Sequence, residues 1–191
     1  GRAAQLTFFA RNFLLARRRP LLASYKLTYR CNLRCQQCPF VDLESHEPTF
    51  SQAAATLDRL YERGSRLVIF EGGEPTLWRD GARRPHDMVA YARQKFFCVG
   101  MTTNGTQALD LPSDVLWVSI DGFAETHNRL RGAPVFERII ANVRASSHPR
   151  LYAHVTVNAA NAAEIPDLLS YLDPLFRGIS IQFYYPYHQR D

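Results

Sequence analysis

Three of the four cysteines in the chain fall within eight positions, in the stretch "CNLRCQQC", as Cys31, Cys35 and Cys38. A thiolate is a metal ligand, and a loop carrying three of them can wrap a metal or a cluster, whereas disulfides among such close neighbours would leave one thiol over. A structural zinc site normally closes with four protein ligands, and an ordinary 4Fe–4S cluster takes four cysteines. Three ligands leave one position open. His46 could complete a Cys3His zinc site and Cys98 could complete a cluster, but neither stands at the short spacing of local metal knuckles. An open metal would need an external ligand, so the loop invites a cofactor with donor atoms of its own.

A second stretch with chemical content is "EGGEP", Glu71 to Pro75. Glycines here would let backbone carbonyls approach a ligand, and Glu74 offers a negative charge to an ammonium group. A plain strand-to-helix turn also explains the glycines, but it leaves Glu74 and the cysteine loop unconnected.

Both stretches need elements to position them. "LASYKLTY" (22–29) has the β-branched and aromatic character of a strand, and "RLVIF" (66–70) reads as a buried strand entering a glycine turn. Further strands are predicted at 96–103, 114–120, 151–158 and 178–185. Helices are predicted at 51–63 with Ser51 as cap, and at 86–95, 135–146 and 162–172, where Pro166 is tolerable in the first turns. Six strands alternating with helices imply a parallel α/β sheet with right-handed crossovers. Ligands in such folds bind at the carboxyl ends of the strands. The polar residues at those ends are the cysteines, the glycine turn, Thr102, Thr103 and Asn104, Ser119 and Asp121, Thr156 and Asn158, and Gln182 and Tyr184.

The 191 residues suit one domain, and no apolar run is long enough to cross a bilayer. A helix of residues 1–20 is expected to precede a core of residues 21–191. The chain starts at Gly1 rather than Met, so the boundaries are read as provisional, with the C-terminus a candidate for truncation. In the N-terminal helix Leu6, Phe9, Ala10 and Phe13 share a face, followed by Arg11, Arg17, Arg18 and Arg19. This helix is read as closing one end of the core; a peripheral contact with an anionic membrane is the alternative. Clustered thiols with one distant Cys98, which reads as a small core residue, argue for a reducing cytoplasm over a secreted disulfide scaffold. The net charge of +5 comes with no interleaved aromatic and basic stripe, so no specific nucleic-acid site is expected.

The constellation resembles the radical S-adenosylmethionine (radical SAM) superfamily. Its hallmark C-x3-C-x2-C after the first barrel strand matches Cys31, Cys35 and Cys38, and its glycine turn after the second strand matches "GGEP" at 72–75. "TTNG" (102–105) and "SIDG" followed by "HNRLRG" (119–132) are similar to strand ends in the subgroup of the molybdenum-cofactor cyclase and the peptide maturases. The resemblance implies a partial (β/α)6 TIM-type barrel. It implies that the three cysteines hold a 4Fe–4S cluster whose fourth iron chelates S-adenosylmethionine, cleaved reductively to a 5′-deoxyadenosyl radical that takes hydrogen from substrate.

Carried over residue by residue, Gly72, Gly73 and Glu74 would hold the amino group, and Thr102 and Ser119 would contact the methionyl or ribose part. Asn104 would support the turn, and Arg131 would pair with the methionyl carboxylate. Asp121 is either part of this signature or a cap on the following turn. The sequence departs from many relatives at Gln37, where an aromatic residue lines the adenine, and at Thr156, where some carry a basic ligand. Phe40 is the substitute adenine surface. Tyr184, grouped with the cofactor-site residues, could line a substrate mouth together with Tyr185, Tyr187 and His188. An electron donor such as flavodoxin or ferredoxin is implied, and the substrate could be a peptide, a cofactor precursor or a lipid precursor. A metal-binding scaffold without catalysis is the rival reading.

Overall fold

A computed structural model of the chain describes residues 2–14, 19–41, 43–44 and 47–186. Arg17, Arg18, His46, Tyr187 and His188, and the side chain of Phe13, lie outside the described residues. Six parallel strands form one sheet in sequence order: β1 (Leu22–Thr28), β2 (Leu67–Gly72), β3 (Cys98–Thr103), β4 (Val115–Ser119), β5 (Leu151–Val157) and β6 (Ile179–Phe183). Sequence order without reversal is the arrangement of a barrel wall. The sheet stays open between β1 and β6.

The strand pleat separates two faces. Leu27, Phe70, Met101, Leu116, Val118 and Val155 point outward and are fully buried beneath the helices. Those helices are α2 (Phe50–Glu62), α3 (Pro85–Arg93), α4 (Ala124–Arg131), α5 (Phe136–Ala145) and α6 (Ile165–Leu172). Four of them contribute apolar residues to one core, Leu57 from α2, Met88 and Val89 from α3, Ile139 and Val143 from α5, and Leu168 and Leu172 from α6, while α4 buries only His127 and Leu130. The inward face carries Lys26, Glu71, Thr102, Trp117, His154 and Gln182. Gly100 lies on that face because a side chain there would strike the Trp117 ring, at 2.6 Å.

Several elements differ from their predicted form. The N-cap of α2 is Thr49, two residues before the expected Ser51: its side chain accepts from Gln52 N, and the Gln52 side chain accepts from the Thr49 N–H. The predicted helix 162–172 opens as a 3-10 turn (Ala162–Glu164) before α6 begins, with Pro166 in its first turn. No helix links β3 to β4; Leu109 and Leu111 of the connecting segment bury against the core in its place. Helix α4 is an addition to the sequence reading.

The N-terminal helix α1 (Arg2–Leu14) docks by a different residue from those expected. Leu6 and Phe9 are 71% and 44% exposed. Phe8 makes the contact: its ring meets Phe97 edge-on at 5.7 Å, and the Arg66 guanidinium lies 4.8 Å from its centroid. Phe97 immediately precedes β3, so α1 sits at the amino end of the strands, away from the cysteine loop.

Candidate cofactor site

The cysteine loop leaves β1 and is held by backbone contacts from two sides. From one side, the Gly73 and Glu74 N–H groups donate to the carbonyls of Thr28 (2.7 Å) and Arg30 (2.8 Å). A Cβ at Gly72 would come within 2.1 Å of the Thr28 carbonyl oxygen, and one at Gly73 within 2.4 Å of that of Arg30. The glycine pair is therefore demanded by the approach of two protein backbones, whatever else it admits. From the other side, Gln36 N donates to Leu130 O at 2.9 Å, and Gly132, left-handed at φ 73°, packs against the Arg34 carbonyl. The C-terminus of α4 thus abuts the loop, which explains "RLRG" as a helix end with a glycine stop.

Glu74 ties the second strand end to the third. It is fully buried, and its carboxylate accepts from Thr76 N (3.1 Å), Thr76 Oγ1 (2.6 Å), Thr103 Oγ1 (2.8 Å) and Asn104 N (2.6 Å). Burial pushes its carboxyl above the usual carboxylate range, against four donors that favour the ionised form. Asn104 continues the chain of contacts. Its amide donates to Asn32 Oδ1 (2.9 Å) and reaches Cys31 Sγ at 3.9 Å, while its oxygen accepts from Thr106.

The fourth strand end is organised by Asp121, also fully buried. Its carboxylate accepts from Thr156 N (3.0 Å), Gln37 Nε2 (3.1 Å) and Arg131 Nη2 (2.7 Å). Gln37 then accepts from Asn158 Nδ2 at 2.7 Å, so this one amide bridges the cysteine loop to the ends of β4 and β5. The Asp121 N–H donates to His127 Nδ1. Burial lowers the His127 pKa to about 4, so the ring is neutral at pH 7.

These clamps frame one cavity of about 560 Å³. Cys31, Cys35, Cys38, Phe40, Gly72, Gly73, Thr102, Asn104, Ser119 and Arg131 all line it. All four cysteines are free thiols, and burial raises the Cys31 and Cys35 pKa values. Cys31 Sγ accepts from Leu33 N at 3.4 Å, and Cys35 Sγ from Arg131 Nη1 at 3.9 Å. Three free thiols on one wall, two of them met by N–H donors that stabilise negative sulfur, fit an anionic metal–sulfur cluster. Among the described residues no three His, Cys, Asp or Glu side chains converge as a single-ion site requires.

Three of the expected contact residues take the following places. The Glu74 carboxylate does not reach the cavity, because four protein donors hold it in the turn. Arg131 lines the cavity and is paired there with Asp121. Tyr184 follows the end of β6 and is not part of the cavity lining. Phe40 lines the cavity and stacks on Tyr29 at 5.8 Å, with Lys26 Nζ 5.3 Å from its centroid. The sequence reading passed over most of the inward face deeper in the lumen: Lys26, which pairs with Glu71, and Trp117, His154 and Ser180. Strand alternation from Thr102 and Gln182 was the signal that could have found them.

An open parallel α/β barrel with a three-thiol loop at the carboxyl rim defines a protein built to hold a metal–sulfur cofactor. The model of the Radical SAM superfamily matches residues 25–172, and the chain belongs to that superfamily, whose cofactors are a 4Fe–4S cluster and S-adenosylmethionine. Among curated proteins it is 28% identical over 163 residues to the Fe-coproporphyrin III synthase of Methanosarcina barkeri, covering 78% of this chain and 40% of that protein. It is 28% identical over 170 residues to the mycofactocin maturase MftC of Mycobacterium ulcerans, covering 81% and 44%. The chain therefore spans about two-fifths of the length of these relatives. Among solved structures, Streptococcus suis SuiB bound to S-adenosylmethionine superposes with a TM-score of 0.75 at 16% identity, over 89% of this chain and 42% of that one. That likeness establishes the shared fold.

Proposed function

We propose that residues 21–191 form the cofactor-binding core of a radical SAM enzyme, preceded by an N-terminal segment, residues 1–20, that carries helix α1 (Arg2–Leu14). The observation that carries this reading is that Cys31, Cys35 and Cys38 open onto the same cavity as the Gly72–Gly73 backbone. In this reading the three thiols hold the cluster, and Gly72, Gly73, Thr102, Asn104, Ser119 and Phe40 surround S-adenosylmethionine. When bound, the two cofactors supply a reductive cleavage that yields a 5′-deoxyadenosyl radical able to take hydrogen from a substrate. Glu74 acts through the turn it braces and not by direct charge. Asp121 and Gln37 hold the cysteine loop against the strand ends.

The substrate, a peptide, a cofactor precursor or a lipid precursor, would enter through the open side between β1 and β6 and meet the polar inward face. Lys26, His154 and Gln182 offer it donors and acceptors over the Trp117 ring. A flavodoxin or ferredoxin would supply the electron. Free thiols support a cytoplasmic setting, and no described helix is long and apolar enough to cross a membrane. Exposed Leu6 and Phe9 near Arg11 support a peripheral membrane contact through α1.

The test is anaerobic reconstitution with iron and sulfide, chemical reduction, addition of S-adenosylmethionine, and detection of 5′-deoxyadenosine by mass spectrometry. Release by the wild type and none by Cys35→Ala is expected. Equal release by both would remove Cys35 from the site, and none from an iron-loaded wild type would favour a binding scaffold.

A further inference from the structure

We infer that Arg131 is a positioning residue for the cluster, setting its reduction potential through Cys35, and that Asp121 opposes it. The inference rests on the radical SAM reading above. It replaces the role that resemblance implies for Arg131, contact with the methionyl carboxylate.

The geometry is specific. Arg131 is the last residue of α4, with its side chain only 13% exposed. Nη2 pairs with Asp121 Oδ2 at 2.7 Å, Nη1 points to Cys35 Sγ at 3.9 Å, and Nε is buried without a partner. A planar guanidinium held through one arm has its other arm fixed as well. Asp121 cannot swing away, because Thr156 N and Gln37 Nε2 hold its carboxylate. The result is a rigid row of sulfur, cation and anion at the edge of the cavity.

Such a row acts on charge. A cluster gains negative charge on reduction, and a hydrogen-bond donor bearing a fixed positive charge next to a ligand sulfur favours the reduced form. Low local dielectric strengthens the effect. The anion behind the cation weakens it. Removing Arg131 should make the cluster harder to reduce, and neutralising Asp121 should make it easier.

The experiment is an EPR-monitored redox titration of the reconstituted wild type, Arg131→Gln, Arg131→Lys and Asp121→Asn, with iron content and S-adenosylmethionine affinity measured on each. The expected result is a more negative midpoint for Arg131→Gln, partial return in Arg131→Lys, and a more positive midpoint for Asp121→Asn. Affinity in Arg131→Gln should stay within about threefold of wild type. Unmoved midpoints at normal iron content would overturn the inference, as would an affinity loss of about tenfold or more with the midpoint unchanged, which marks a carboxylate ligand. If Arg131→Gln fails to hold iron, the Asp121→Asn midpoint alone decides. A wild type that takes up no iron overturns the radical SAM reading, and this inference falls with it.

Discussion

The two ends of the sheet are built differently. At the ends of β1 to β4 almost every polar group is tied to a neighbouring strand end: Gly73 to Thr28, Glu74 to Thr103 and Asn104, Asn104 to Asn32, Asp121 to Arg131 and Gln37. At β6 the outward residues stand in solvent, with Ile181 48%, Phe183 81% and Tyr185 74% exposed. The difference separates two tasks. The cofactor end is preorganised by bonds within this chain, whereas the β6 side contributes an open lumen wall and little of its own stability.

That contrast can be broken at points of decreasing effect. Cys35→Ala should abolish iron uptake while leaving the far-ultraviolet circular dichroism unchanged, because the thiol loop contributes no strand to the core. A fully iron-loaded variant would show that the loop does not ligate. Glu74→Ala strands four donors, of which those of Thr103 and Asn104 are buried, and should cost about 3 kcal/mol in urea unfolding, since hydrogen bonds to charged groups are worth ~1.5–3 kcal/mol each and desolvated donors add to the loss. A change below about 1 kcal/mol would show that the strand-end clamp is dispensable.

Acid should act on the same end. His127 has a folded pKa of about 4 against an ordinary 6.5, so the unfolded chain binds the extra proton between those values. Stability contributed by the neutral ring is fully present above pH 6.5 and is lost as pH falls towards 4, in total roughly 3 kcal/mol. His127→Asn, which keeps an acceptor for the Asp121 N–H, should flatten that part of the pH profile. An unchanged profile would place the acid sensitivity elsewhere. The smallest effect belongs to the other side: Phe183→Ser should change stability by no more than about 0.5 kcal/mol. A loss of about 2 kcal/mol or more would mean that β6 is packed as firmly as the rest.

The sequence made the strands legible because outward positions such as Val68, Phe70, Val99 and Met101 had to be apolar, and their ends fell where glycines and polar residues begin. The cysteine loop was legible because thiol spacing is local. Helix α4 was hidden: "AETHNRLR" is strongly polar and buries only His127 and Leu130, too few for an apolar stripe. The Asp121 network was hidden for a different reason. Its partners stand at 37, 131 and 156, and only the fold brings them together. Glu74 illustrates a third limit, since a carboxylate beside two glycines reads as a ligand group until its four donors are seen.

The most direct test of the proposed cofactor end is the metal and sulfide content of the anaerobically reconstituted wild type. The account expects about four iron and four sulfide per chain, with absorption and EPR spectra of a 4Fe–4S cluster. One zinc per chain with no iron would contradict it and make the three thiols a structural metal site.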